Sequence, residues 1–161
     1  MNISFDLIIP PIIMGILMTM IISSNRMMME SSVENQVTYQ LQSTANNGIL
    51  VVQEEVRSLN EILVVSDSTL NFVETDFDTV MIVKQGEYLE VSRTPVGGVP
   101  TTQSYYLKLD SIDFQVSSAG AMAPTFLSVT AITKSSPQQV GSGTPHKAVA
   151  SRDLYLRNLQ L

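Results

Sequence analysis

The chain has 161 residues, no cysteine, 15% charged residues and a net charge of −6. That length fits one ordinary domain once an N-terminal helix is set aside. The missing cysteines exclude a disulfide framework, a thiolate nucleophile and a cysteine metal site, and an acidic chain with no basic patch makes a poor nucleic-acid binder.

The charge is unevenly placed. Residues 27–100 hold eleven acids against Arg57, Lys84 and Arg93, whereas residues 101–161 hold five bases against Asp110, Asp113 and Asp153. Such a split would let the acidic part of one copy face the basic part of another. Ser, Thr, Asn and Gln fill most other polar positions.

Residues 1–26 form the first segment. No charge occurs from Leu7 to Asn25. As a helix, this run would span ~28 Å, close to the hydrocarbon thickness of a bilayer. It is apolar on every face, so it belongs in lipid or inside an assembly. Its core positions are Leu7, Ile8, Ile12, Ile13, Gly15, Ile16, Leu17, Met20 and Ile21. No base precedes Arg26 and no small-x-small site follows, so the pattern predicts a retained helix instead of a cleaved leader. Pro10 and Pro11 predict a firm helix start near Pro11, with an extended or loosely helical stretch before it.

Residues 27–65 continue as an amphipathic helix. Val33, Val37, Leu41, Ala45, Ile49, Val52, Val56, Leu59 and Leu63 recur at steps of three and four. Ile49, Val52, Val56, Leu59 and Leu63 are the expected contacts between helix and head. Asn46-Asn47-Gly48 interrupts the stripe with a turn signal, and a bent but continuous helix to about residue 63 is expected.

From residue 66 to 161 the period changes to two, with turn punctuation. Ser68–Val73 reads as a strand, and Thr79–Lys84 and Glu87–Arg93 read as a hairpin around Gln85-Gly86. Tyr105–Leu109 and Ile112–Ser117 read as a strand pair or one bent strand. Phe126–Thr133 alternates, Ser135–Pro145 is a loop, and Asp153–Leu161 reads as a final strand. The expected fold is α+β: a long helix whose C-terminal half packs on one face of an antiparallel sheet.

No catalytic constellation is present. The single histidine, His146, lies in a Ser/Gly/Pro loop, and no P-loop, Gly-x-Ser-x-Gly or His-Glu-x-x-His motif occurs. Glu74, Asp76 and Asp78 alternate; in a strand they would share one face, and they form a weak candidate calcium site. A solvated acidic face is the simpler reading. No cofactor is expected.

An apolar N-terminal helix, an amphipathic continuation and an antiparallel head together resemble the type IV pilin and type II secretion pseudopilin superfamily. The segments that carry the resemblance are Gln103–Val116, Phe126–Lys134 and the closing Tyr155-Leu-Arg-Asn-Leu159. Val52-Gln-Glu-Glu-Val-Arg-Ser-Leu59 stands where that family's helix meets its head. The resemblance implies a structural, non-enzymatic subunit of a pilus-like filament at the cell surface. Its helix would sit in the membrane before assembly and in the filament core afterwards. The implied partners are copies of itself and an assembly machinery, without nucleic acid. The alternative is a single-pass anchored binding module, or a minor pseudopilin of a secretion system.

Overall fold

The computed structural model describes the backbone of residues 3–118, 125–136 and 145–156. Side chains are described from Ile9 to Ser117 and through the two later segments. A single helix, α1 (Ile3–Glu55), leads into a 3-10 turn (Val56–Ser58). Eight strands follow: β1 (Leu59–Ser66), β2 (Thr69–Glu74), β3 (Thr79–Gln85), β4 (Tyr88–Thr94), β5 (Thr101–Tyr106), β6 (Leu109–Ser118), β7 (Thr125–Lys134) and β8 (Lys147–Tyr155).

Helix α1 runs 53 residues without a break. It does not begin near Pro11 as expected; both prolines lie inside it. Two missing donors cost two i→i−4 bonds, and a helix this long keeps the rest. It also passes through Asn46-Asn47-Gly48, where Asn46 and Asn47 face solvent and Gly48 is buried. The glycine there serves packing. A Cβ at residue 48 would stand 3.1 Å from Leu109 Cδ1 and 3.8 Å from the Ala131 Cβ. Gly48→Val is therefore expected to destabilise the head by about 1–3 kcal/mol through overpacking, despite a better helix former, and thermal unfolding of the variant would measure it.

The helix ends at Glu55, not near residue 63. Leu59 and Leu63 belong to β1, and their fates differ: Leu59 is 2% exposed, whereas Leu63 is 48% exposed and is not a helix-to-head contact. The run Leu59–Ser66 is rich in β-branched residues, which suit a pleated surface better than a helix. Its pairing with β2 shifts register between Leu59 and Glu61 and between Ile62 and Val64. Those irregularities hide a strand period inside a stripe that reads as helical.

The head contains two antiparallel sheets instead of one. Five strands follow in the order β1-β2-β3-β4-β5, and three in the order β6-β7-β8. The β3–β4 hairpin forms as expected, but one residue later than the expected Gln85-Gly86: Gln85 still pairs with Tyr88, and Gly86 and Glu87 make the turn, with Gly86 at φ +61, where glycine carries no Cβ penalty. The stretch read as one strand pair at 105–117 splits between the sheets. Tyr105 and Tyr106 finish β5, and the chain crosses at Leu107-Lys108 to start β6. The closing strand lies earlier than expected, at Lys147–Tyr155; residues 157–161 and most of the 135–145 loop lie outside the described residues.

The smaller sheet covers the helix, through β7 and β8. Strand β8 runs alongside the helix axis. Its start meets Thr38, with Oγ1 of that residue 3.5 Å from His146 Nδ1, and Arg152 Nη1 donates to Gln53 Oε1 at 2.6 Å. Six residues of strand and fifteen of helix both span roughly 20 Å, so the two elements stay in step. One core joins Ala45, Ile49, Val52 and Val56 of the helix end to Phe72 and Ile82 of the large sheet and to Ile112, Leu127 and Val129 of the small one. Thr133 is a fully buried polar residue beside it; its hydroxyl donates to the Leu41 carbonyl at 3.0 Å, which satisfies it.

Candidate functional site

The head leaves the N-terminal half of α1 uncovered. Leu, Ile and Met side chains from Ile9 to Ile22 are exposed on every side, Ile16 at 55%. None of the segment is buried within the chain, and by length and composition it is long and apolar enough to cross a membrane. Ile12, Ile13, Ile16, Leu17, Met20 and Ile21 all lie on it in helical conformation. A Cβ added at Gly15 would meet nothing within 4 Å in the single chain. Leu7 and Ile8 lie outside the residues whose side chains are described.

Polar groups on this segment close locally. Thr19 Oγ1 donates to the Ile16 carbonyl at 2.8 Å, so the hydroxyl carries no unmet bond into an apolar surrounding. At the end of the run, Arg26 Nε donates to Glu30 one turn later at 2.9 Å. Met27, Met28 and Met29 follow, all exposed.

The helix's other end is tied to the large sheet by a charged lock. Glu54 and Glu55 close a helix with no base in its last turn. Acids there oppose the helix dipole. Arg57 answers Glu54 at 3.1 Å. Arg93 of β4 answers Glu55 at 3.1 Å and also holds Glu74 of β2 through two nitrogens, at 2.8 and 3.1 Å. Ser58 Oγ donates to the same Glu74 carboxylate at 2.8 Å. The bond to Glu74, together with the charges of Glu74, Glu55 and Asp78, outweighs desolvation and holds the Arg93 guanidinium's pKa above its ordinary value. Tyr105 is also raised, chiefly by burial and then by Glu55.

Arg93 is 43% exposed over two mostly covered carboxylates. Its worth lies between the ~0–1 kcal/mol of a surface pair and the ~3–5 kcal/mol of a broken buried one. Arg93→Met is expected to cost about 2 kcal/mol, and Arg93→Lys to recover only part of it, since an ammonium cannot grip two carboxylates bidentately. Urea unfolding of both variants tests the order; equal stability to the parent would dismiss the lock.

The acidic trio does not share one strand face. β2 ends at Glu74, and Asp76 lies in the turn that follows. Glu74 is already held by Arg93 and Ser58. Among the described residues, no group of three His, Asp or Glu is placed to hold a metal ion. The His146 backbone N–H donates to Ser135 Oγ at 2.8 Å. The Arg93 lock and the Gly48 contact were missed in the sequence. The signal for the first was the place of Arg93 as one of three bases among eleven acids in residues 27–100.

A groove of about 520 Å³ opens where the middle of α1 meets the start of β6 and the end of β7. Its lining combines the apolar Val37, Leu41 and Leu109 with Gln40, the lysines Lys108 and Lys134 and the acids Glu87 and Asp110. Lys134 is paired with Asp110 at 2.7 Å, and the Lys108 ammonium stands 5.5 Å over the Tyr106 ring.

No protein-family model, no curated protein and no solved structure matches the chain.

Proposed function

We propose that this chain is a structural subunit of a pilus-like filament, held in a membrane by its N-terminal helix before assembly. The observation that carries the reading is the division of α1. One half is packed on a sheet at Ala45, Ile49 and Val52, and the other half has an apolar run exposed on every face, with nothing among the described residues to cover it. Lipid covers such a segment in a lone subunit; helices of other copies cover it in a fibre. The unbroken helix joins the two halves rigidly, so copies whose apolar ends bundle would carry their heads outward in a fixed relation. Repetition of such a contact gives an open helical polymer. The chain would act through copies of itself and an assembly machinery at the cell surface, without a cofactor and without catalysis.

A second reading is a membrane-anchored binding module, or a minor pseudopilin of a secretion system. The groove beside Lys108 and Lys134 favours it. The deciding experiment is electron microscopy of material sheared from cells that make the chain, with intact-mass analysis of any fibre protein. Fibres built of this chain support the filament. A chain that stays with the membrane fraction and forms no fibres supports the anchored module.

A further inference from the structure

All four lysines of the chain lie at one end of the head. Lys108 precedes Leu109, which pairs with Thr133, and the Thr133 hydroxyl binds the Leu41 carbonyl of the helix. Lys134 pairs in register with Lys147. Lys84 sits at the β3–β4 turn, whose Glu87 carbonyl accepts from the Leu107 and Lys108 amides. This is the end nearer the apolar segment. It also holds Asp110 and Glu87, and the groove over Val37, Leu41 and Leu109.

The opposite end, beside Glu55, has a different character. The β2–β3 turn lies there, anchored by the Thr75 amide on the Ser58 carbonyl at 3.0 Å. So does the β4–β5 loop, since Thr79 pairs with Thr94 and Arg93 with Thr101. Phe77 occupies the turn at φ +68 and is 69% exposed. A bulky residue in the left-handed region is strained, and here it presents an aromatic ring to solvent. Val96 and Val99 of the neighbouring loop are exposed too. Asp76 and Asp78 flank the phenylalanine, and neither has a cation within ion-pair distance among the described residues. The Arg93 lock adds two carboxylates against one guanidinium.

We infer that the acidic, apolar tip of one copy docks into the groove beside Lys108 of a second copy. The inference rests on the filament reading and names the contact between its heads. Phe77 and the two valines match its apolar lining residues, and Asp76 and Asp78 match the exposed Lys108 ammonium. The two surfaces differ and lie at opposite ends of the head, so the contact is heterologous and repeats without closing. Lipid headgroups are the poorer partner for the lysines. The apolar run stops by Ser24 and the groove lining begins at Val37, so roughly 20 Å of helix separates bilayer from lysines. That exceeds the ~8 Å screening length at physiological salt.

The absence of cysteine makes the test clean. Val96→Cys and Gln40→Cys are combined in the full chain, in the membrane of cells that make it, and oxidised. In one molecule these sites lie at opposite ends of the head, roughly 20 Å apart along the helix, and a disulfide needs Cα atoms within about 7 Å, so any bond joins two copies. A ladder of dimers, trimers and higher species from the double variant, with no more than dimers from either single variant, is the expected result. Lys108→Glu in that background should lower the linked fraction about tenfold, and adding Asp76→Lys should restore it, because like charges facing across a contact are costly. Wild-type fibres without a ladder would overturn the docking and leave the filament standing. A ladder without fibres would keep the docking and overturn the filament. A ladder indifferent to Lys108→Glu, or a Gln40→Cys thiol closed to maleimide in the unassembled chain, would overturn the inference as well, the latter by showing that the chain covers its own groove.

Discussion

Ile16→Asp is expected to remove the chain from membranes and fibres while leaving its head folded. Ile16 lies in the middle of the uncovered apolar run. An aspartate at the centre of a spanning helix costs about 2.5–3.5 kcal/mol on insertion scales. In a bundle of apolar helices it would be an unpaired buried charge, which is worse. The head should not register the change. The first fully buried helix residue is Ala45, and twenty-nine residues of helix separate the two positions, roughly 43 Å. Head stability should therefore stay within about 0.5 kcal/mol of the parent. Membrane fractionation and electron microscopy read the first half of this expectation; circular dichroism melting of detergent-solubilised protein reads the second. Normal fibres from the variant would end the filament reading.

Phe72→Ala should have the largest effect on the fold itself. Phe72 is the largest fully buried side chain among the described residues, at 0% exposure. It lies in β2 between Ile62 of β1 and Val80 of β3, and shares the core with Ile112 and Phe114 of the other sheet. Removing a buried phenylalanine costs about 3–5 kcal/mol, against a total of about 5–15 kcal/mol for a domain. The expected outcome is a large fall in the urea midpoint with little change in slope. Phe77→Ala is the internal control. Its ring is exposed at a turn of positive φ, so the loss should stay within about 0.5 kcal/mol. A comparable fall in both variants would mean that the core has been misassigned.

The fold class was readable because its two halves obey different periods. Uncharged residues from Leu7 to Asn25 announce an apolar helix, and the alternation in Phe126–Thr133 announces a strand that the structure extends by a residue at each end. The helix end was not readable. Val56, Leu59 and Leu63 keep a three-and-four spacing, and only the pairing of β1 with β2, with its two register shifts, separates strand from helix there. Pro10 and Pro11 misled for the opposite reason: a local rule gave way to the length of the helix around it. The division into two sheets was also hidden. The crossing at Leu107-Lys108 is a short step with no glycine or proline, and it depends on Lys108 accepting a φ of +43. The Arg93 lock joins residues 38 apart in sequence, a distance over which side-chain type carries no positional information. Of the packing residues expected from the stripe, Ile49, Val52, Val56 and Leu59 are buried, on the helix, its 3-10 exit and the start of β1, whereas Leu63, beyond the first β1 register shift, is exposed.

The alignment of β8 with α1 has a mechanical consequence. A pull on the N-terminal end of the helix, with the head held by its surroundings, acts along the strands of the small sheet and not across them. The bonds between β7 and β8, and the ties from the helix to them at Leu41, Gln42 and Gln53, are then loaded together in shear. They cannot open one after another like a zip. The head would behave under tension as a single brittle unit that yields all at once, stiff up to a threshold.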